Sequence, residues 1–175
     1  MTLNKVLLPL AVSVATILAV ASLKFDVPAG WVSMTPGSAS RLAEFTLPKV
    51  AADSEDATVT VYYFGNQGGS VQANIDRWIG QLAQPDGRAS KDVAKTTTLE
   101  SKSGLKITLL DVSGTYVAEV TPGSAEHFNK PGFRQLAAVV DTANGPHFVK
   151  VVGPAATVAK WEGAVMSFLK SLRWE

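Results

Sequence analysis

The chain has 175 residues, 46% of them hydrophobic and 18% charged, and its formal net charge is +1. This length suits one well-filled hydrophobic core, and the composition is that of a globular protein rather than a disordered one. The near-neutral charge argues against a nucleic-acid partner, which requires a basic face. The absence of cysteine excludes disulfides, thiolate metal ligands and a cysteine nucleophile.

Residues 1–21 have the pattern of a secretory signal peptide. Lys5 precedes an apolar run from residue 6 to residue 21, and Ala19 and Ala21 occupy the two positions that a signal peptidase recognises. A retained membrane anchor is the alternative, but the run is shorter than the ~20 residues that span a bilayer. We therefore predict cleavage after Ala21, a single domain over residues 22–175, and a bacterial periplasmic or secreted protein without a stable membrane span.

The first half of the mature chain predicts three strands followed by a helix. Alternating apolar and polar residues indicate strands over residues 23–27, 41–47 and 57–64. Apolar residues at helical spacing then predict a helix from Val71 to Leu82, which the proline and glycine just beyond it end.

Residues 65–70 join the third strand to this helix and contain a glycine cluster. The segment lacks the lysine of a Walker-type phosphate loop, and its glycines do not have the spacing of a dinucleotide fingerprint. We interpret the glycines as a turn and Ser70 as the helix N-cap, accepting a hydrogen bond from the amide of Gln72 or Ala73. An anion at this helix N-terminus remains an alternative.

The second half of the chain predicts two hairpins and a closing helix. The first hairpin pairs residues 93–100 with 105–120, and the second pairs 133–141 with 147–152 through the turn signal Asn144-Gly145. The closing helix covers about residues 155–172 and has a continuous apolar stripe. Because hairpins dominate, we predict an α+β fold with a mainly antiparallel sheet and helices packed on it.

The histidines are weak candidates for catalysis. His127 lies in a predicted loop with Ser124, and His147 lies beside the second hairpin turn. We interpret both histidines as surface residues. Since the sequence has no helical H-x-x-x-H motif and no G-x-S-x-G motif, we predict no catalytic residue, no metal site and no cofactor.

An acidic loop is the third candidate site. Asp53, Glu55 and Asp56 fall in this loop, which we interpret as solvated. Weak calcium binding is the alternative, although the loop lacks the glycine and the distal glutamate of an EF-hand.

Lys150 is the charged residue that the pattern explains least. It lies in the apolar strand F-V-K-V-V, where a cation is unfavourable unless its ammonium reaches water or a partner. The simplest interpretation is an edge strand with the ammonium in water. The alternative is that Lys150 and Arg134, which begins the opposing strand, mark a groove that binds phosphate or carboxylate ligands.

With these elements in order, the chain resembles the superfamily of PsbP, the extrinsic photosystem II protein. The stretch KFDVPAGW is similar to that superfamily's opening strand and turn, and GPHFVKVVGP followed by TVAKWEGAVMSFLKSL is similar to its closing strand and helix. The stretches VYYFGNQGGSVQANIDRWIGQ and NKPGFRQLAAVV resemble a group of small exported bacterial proteins. The resemblance implies an α/β/α sandwich around an antiparallel sheet and a role in binding, and no binding residue carries over from it.

The sequence therefore predicts an exported, non-enzymatic binding or assembly module with an unidentified protein partner. A binder of small anionic ligands, with a groove near Arg134 and Lys150, is the alternative. The third possible function is a hydrolase with an active site around His127. A groove with converging polar groups would favour the second function, and a flat apolar patch the first.

Overall fold

The computed structural model of the chain describes residues 21–175, so the predicted signal peptide lies outside the described residues except for Ala21. The elements form an α+β fold, and in chain order they are β1 (Leu23–Lys24), β2 (Val32–Met34), β3 (Arg41–Leu47), β4 (Ala57–Tyr63), α1 (Val71–Ile79), β5 (Leu82–Ala83), β6 (Lys95–Glu100), β7 (Lys106–Tyr116), β8 (Lys130–Val140), β9 (His147–Pro154), α2 (Ala155–Ser171) and β10 (Arg173–Trp174).

The main sheet has eight strands in the order β2-β3-β4-β9-β8-β7-β5, and β6 also pairs with β7. Each of these pairs is antiparallel, which confirms the predicted sheet. A separate pair joins β1 to β10, and Ser22 and Glu175 exchange backbone hydrogen bonds of 2.5 Å and 3.1 Å beside it. The two helices pack on opposite faces of the main sheet, as the α/β/α prediction requires.

The α2 face of the sheet carries the larger core. The apolar stripe of α2 buries Val158, Val165 and Phe168 against inward-facing residues of β3, β4, β8 and β9. The Phe168 ring lies at the centre of an aromatic cluster, 5.0 Å from the ring of Phe25 and 5.1 Å from that of Trp31. This packing is the reason why an amphipathic segment of this length forms a stable helix here.

A residue of the acidic loop holds the N-terminus of α2. Asp53 Oδ2 accepts hydrogen bonds from the backbone N–H and the hydroxyl of Thr157, at 2.9 Å and 2.6 Å. A carboxylate at this position satisfies an unpaired helix amide and interacts favourably with the helix dipole. For Asp53 the prediction of a merely solvated loop is therefore wrong.

The α1 face carries a smaller core. Ile75 and Trp78 of α1 pack over Leu110 of β7, Val139 of β8 and Phe148 of β9. The predicted helix extended to Leu82, whereas α1 ends at Ile79 because the chain turns at Gly80 and β5 then pairs with β7. Beside α1 this face of the sheet is open. In the described part of the chain, no helix is long and apolar enough to cross a membrane.

Candidate functional site

A groove of about 280 Å³ lies on the α1 face of the sheet and is called the Lys150 groove below. Thr60 of β4 and Lys150 of β9 are directly paired across the two strands and form the middle of its floor. The register turns Val149 and Val151 into the core under α2, so their neighbour Lys150 must face the groove. The other lining residues are Arg41, Glu44, Glu55, Asp56, Thr58, Tyr62, Tyr116, Phe128, Lys130, Phe133 and Val152.

Lys150 is held by polar, uncharged partners. Its ammonium donates hydrogen bonds to Gln81 Oε1 at 2.7 Å and to the Tyr116 hydroxyl at 3.1 Å. The ammonium also lies 5.2 Å from the centroid of the Tyr116 ring, close enough for a cation–π interaction. Among residues 21–175, no carboxylate forms an ion pair with it.

The predicted edge position of Lys150 is wrong. Strand β9 pairs with β4 on one side and β8 on the other, so Lys150 lies inside the sheet. Burial and, as a smaller cause, the charge of Arg77 together lower the pKa of Lys150 to about 8. Burial also raises the pKa of Tyr116 to about 12. At neutral pH the floor of the groove therefore presents a cation beside a neutral phenol.

The other two cations of the groove already have acidic partners. Arg41 forms an ion pair with Glu44, and Lys130 Nζ lies 2.6 Å from Glu55 Oε2. Lys150 is thus the one lining cation without an ion-pair partner in the part of the chain that the structure describes.

Arg134 lies on the opposite face of the sheet from Lys150. It pairs with Gly153 in the β8–β9 register, whereas Lys150 pairs with Ala137, and an odd separation along a strand places side chains on opposite faces. The Arg134 guanidinium donates two hydrogen bonds to Asp111, at 2.8 Å and 2.9 Å, and a third to Glu162 of α2 at 2.7 Å. The predicted groove that Arg134 and Lys150 would share is therefore not formed.

The bonds to Asp111 and Glu162 explain the charge state of Arg134. The hydrogen bonds to Asp111 raise the pKa of Arg134 above its ordinary value, and the hydrogen bond to Glu162 acts in the same direction. This arginine ties α2 to the sheet, and its charge is balanced by two protein carboxylates.

The acidic loop places its three carboxylates on separate protein partners. Asp53 caps α2, Glu55 binds Lys130, and Asp56 Oδ1 accepts the backbone N–H of Lys49 at 2.9 Å. Within residues 21–175 the structure brings together no group of three histidine, aspartate or glutamate side chains that could hold a metal ion.

The two histidines have different environments. His127 is exposed, as predicted, and its Nδ1 lies 3.1 Å from the carbonyl of Ala125. The Ser124 hydroxyl donates to the Glu126 carbonyl, so the structure does not join it to His127.

The prediction of a surface position for His147 is wrong. This residue is only 2% exposed because its ring stacks on Tyr63 at 4.4 Å and meets the edge of Trp174 at 5.5 Å. Burial lowers its pKa, which favours the neutral ring.

The glycine cluster turns the chain as predicted. Ser70 is the N-cap of α1 and its hydroxyl accepts the N–H of Ala73 at 3.1 Å. Gly69 has a φ of +74°, which favours glycine, and a Cβ on Gly68 would lie 2.9 Å from the Phe148 ring. The fold therefore requires glycine at both positions.

Comparison with known proteins gives similarity in fold only. No family model and no curated protein matches the chain. Among solved structures, the chain is similar to a Pseudomonas aeruginosa protein of unknown function, with a TM-score of 0.46 and 14% identity over 74% of this chain and 80% of that one. It is also similar to cyanobacterial PsbP from Synechocystis, with a TM-score of 0.47 and 11% identity over 95% of this chain and 99% of that one.

Proposed function

We propose that the chain is an exported, non-enzymatic binding module that holds a small anionic ligand in the Lys150 groove. The observation that carries the proposal is the position of Lys150, a cation on the floor of an open groove with hydroxyl-bearing neighbours and no carboxylate partner among the described residues. Converging polar groups in a concave site are typical of ligand pockets.

The hydrogen bonds of Lys150 leave room for an anion. An ammonium has three N–H donors, and Gln81 and Tyr116 accept from it. A bound anion would accept a further hydrogen bond and would balance a charge that burial and Arg77 otherwise disfavour. Hydrogen bonds between charged groups are about twice as strong as neutral ones, and more so where water is partly excluded.

Isothermal titration calorimetry on residues 22–175 tests this function. We expect at least one of inorganic phosphate, sulfate, acetate and phenylacetate to bind, and Lys150→Met to abolish that binding. Lys95→Met is the matched control, because Lys95 is an exposed lysine of β6 outside the groove. Binding that Lys150→Met leaves unchanged, or no binding of any of the four anions, would contradict the proposal.

A protein-assembly role is a second candidate, supported by the free edge of the sheet. In the described chain β2 pairs only with β3, and its side chains Val32 and Met34 are 50% and 53% exposed. Unpaired edge strands with apolar side chains are sites where another chain can add. Chemical cross-linking in the native envelope, with Met34→Lys as the variant, tests this role. A cross-linked partner that persists in the variant would argue against the β2 edge.

Export is tested on the full chain in a bacterial host. We expect the mature protein in the periplasmic fraction to begin at Ser22, as determined by intact mass. A cytoplasmic protein that keeps residues 1–21 would contradict export.

A further inference from the structure

We propose that the ligand of the Lys150 groove is a monocarboxylate with a flat apolar body. This inference rests on the proposed function and names the chemistry of its ligand. It follows from the charges around the groove, from the rings that line it and from its size.

The charges favour a single negative charge on the ligand. Arg41 and Lys130 are neutralised by Glu44 and Glu55, which leaves Lys150 as the free lining cation in the described chain. The lining thus holds two ion pairs, the carboxylate of Asp56 and the ammonium of Lys150, so a dianion such as a phosphate monoester would find one unpaired cation for its two charges. A carboxylate needs only one cation and a neighbouring hydroxyl, and Lys150 with Tyr116 supplies both.

The aromatic rings favour a flat apolar body. Tyr116 lies nearly parallel to Phe133 and Phe128, with interplanar angles of 15° and 25° and centroid distances of 6.1 Å and 5.5 Å. All three rings line the groove, and Tyr62 lines it as well. Aromatic faces and edges accept another flat ring in offset-stacked or edge-to-face contact, which contributes beyond the area that is buried.

The size of the groove suits a small ligand. Its volume of about 280 Å³ lies just below the ~300–1,000 Å³ range of pockets for drug-sized ligands. One ring with a short carboxylate arm suits this space.

Four probes of related shape test the inference on residues 22–175 by calorimetry. Phenylacetate has both the ring and the monoanion, phenylacetamide has the ring without the charge, acetate has the charge without the ring, and phenyl phosphate has the ring with a dianion. We expect phenylacetate to bind at least tenfold more tightly than each of the other three, because each of them lacks the charge, lacks the ring or carries a second charge.

Variants separate the two halves of the site. Lys150→Met should weaken phenylacetate at least tenfold and leave phenylacetamide unchanged, whereas Phe128→Ala should weaken phenylacetate and leave acetate unchanged. Lys95→Met should alter neither. Amide chemical shifts of the unmutated protein should move with phenylacetate on β4 and β9, which localises the site without any substitution.

Each other result has a definite meaning. Tighter binding of phenyl phosphate than of phenylacetate, lost in Lys150→Met, would overturn the monocarboxylate and leave the proposed anion site intact. Equal binding of phenylacetamide and phenylacetate would also overturn it. If inorganic phosphate or sulfate binds through Lys150 and phenylacetate does not, the monocarboxylate alone is wrong. If neither these two anions nor any of the four probes binds, or if shifts move only away from β4 and β9, both the monocarboxylate and the anion site are wrong.

Discussion

On the α2 face of the sheet, Val149 and Val151 are each 1% exposed under a long helix, whereas Lys150 between them faces an open groove. The same strand thus contributes to a dry core on one side and to a polar site on the other. The two cations of the second hairpin show the same contrast. Arg134 on the α2 face is neutralised by two carboxylates, and Lys150 on the α1 face has uncharged partners. A charge that the fold has already balanced stabilises structure, while an unbalanced one is available to a ligand.

The largest expected difference between the faces concerns aromatic residues. Phe168→Ala should lower the free energy of unfolding by about 3–5 kcal/mol, because it empties a fully buried site among Phe25, Trp31 and Phe45. Phe64→Ala is the control near the other face, where the ring is 42% exposed, and it should change stability by less than about 1 kcal/mol. Urea denaturation measures both, and equal losses would show that the faces do not differ in packing.

The next comparison exchanges each cation for methionine. Arg134→Met should destabilise the fold by about 1–3 kcal/mol, because it leaves the partly buried Asp111 without its two hydrogen bonds. Lys150→Met should leave stability unchanged or raise it, since it removes a charge that lacks a carboxylate partner. Urea denaturation at pH 7 separates the two outcomes. A larger loss from Lys150→Met would mean that Lys150 is a structural residue.

The pH dependence of stability isolates the charge of Lys150. Because its pKa is lowered to about 8 in the folded protein, the unfolded chain binds more protons between that value and its ordinary pKa near 10.5. Stability should therefore rise with pH above about 8, by at most about 1.4 kcal/mol per unit. The charged or titratable groups around Lys150 are Arg77 of α1, Tyr116 of β7 and the lining residues Arg41, Glu44, Glu55, Asp56, Tyr62 and Lys130.

Melting temperatures measured from pH 7.5 to 9.5 check this rise in stability. This pH range lies below the one in which ionisation of Tyr116 changes stability. The raised pKa of Tyr116, about 12, lowers stability as the pH increases above about 10. Lys150→Met should show a flatter profile than the unmutated protein. Identical profiles would show that Lys150 is as well solvated in the fold as in the unfolded chain.

The smallest effect compares the starts of the two helices. Ser70→Ala should cost about 1 kcal/mol, because it removes the hydroxyl that accepts the N–H of Ala73 at the start of α1. Asp53→Ala, which removes the distant cap of α2, should cost at least as much, since it breaks two hydrogen bonds to Thr157. Thermal unfolding of both variants shows which substitution costs more stability. An Asp53→Ala variant as stable as the unmutated protein would show that the two hydrogen bonds to Thr157 contribute nothing measurable.

The sequence predicts the long elements well and the site only in part. Alternation is strong in β3, whose bounds match the prediction of residues 41–47, and the helical period is strong in α2. The strands β5 and β10 are two residues long, and β2 is three, so they have too little period to be recognised. The strand predicted over residues 23–27 is present only as the two-residue β1. These short strands form because the long elements bring their backbones together.

Lys150 shows both the value and the failure of the sequence argument. The pattern singles it out, but no single-strand pattern shows that β9 lies between β4 and β8, because this depends on distant pairing. The sequence does allow the prediction that Lys150 and Arg134 lie on opposite faces of the sheet. Alternation already places Arg134 on the face of Leu136, and a hairpin turn at Asn144-Gly145 places Lys150 opposite an odd-numbered residue on the other face.

The exchange of hydrogen bonds between Ser22 and Glu175 brings these two residues side by side. A covalent link of a few glycines could therefore join them and form a ring without distorting the sheet. Such a ring, reopened in the exposed segment 85–89, would keep every strand of the Lys150 groove continuous. The groove therefore depends on which strands pair with one another and not on the order in which the chain connects them.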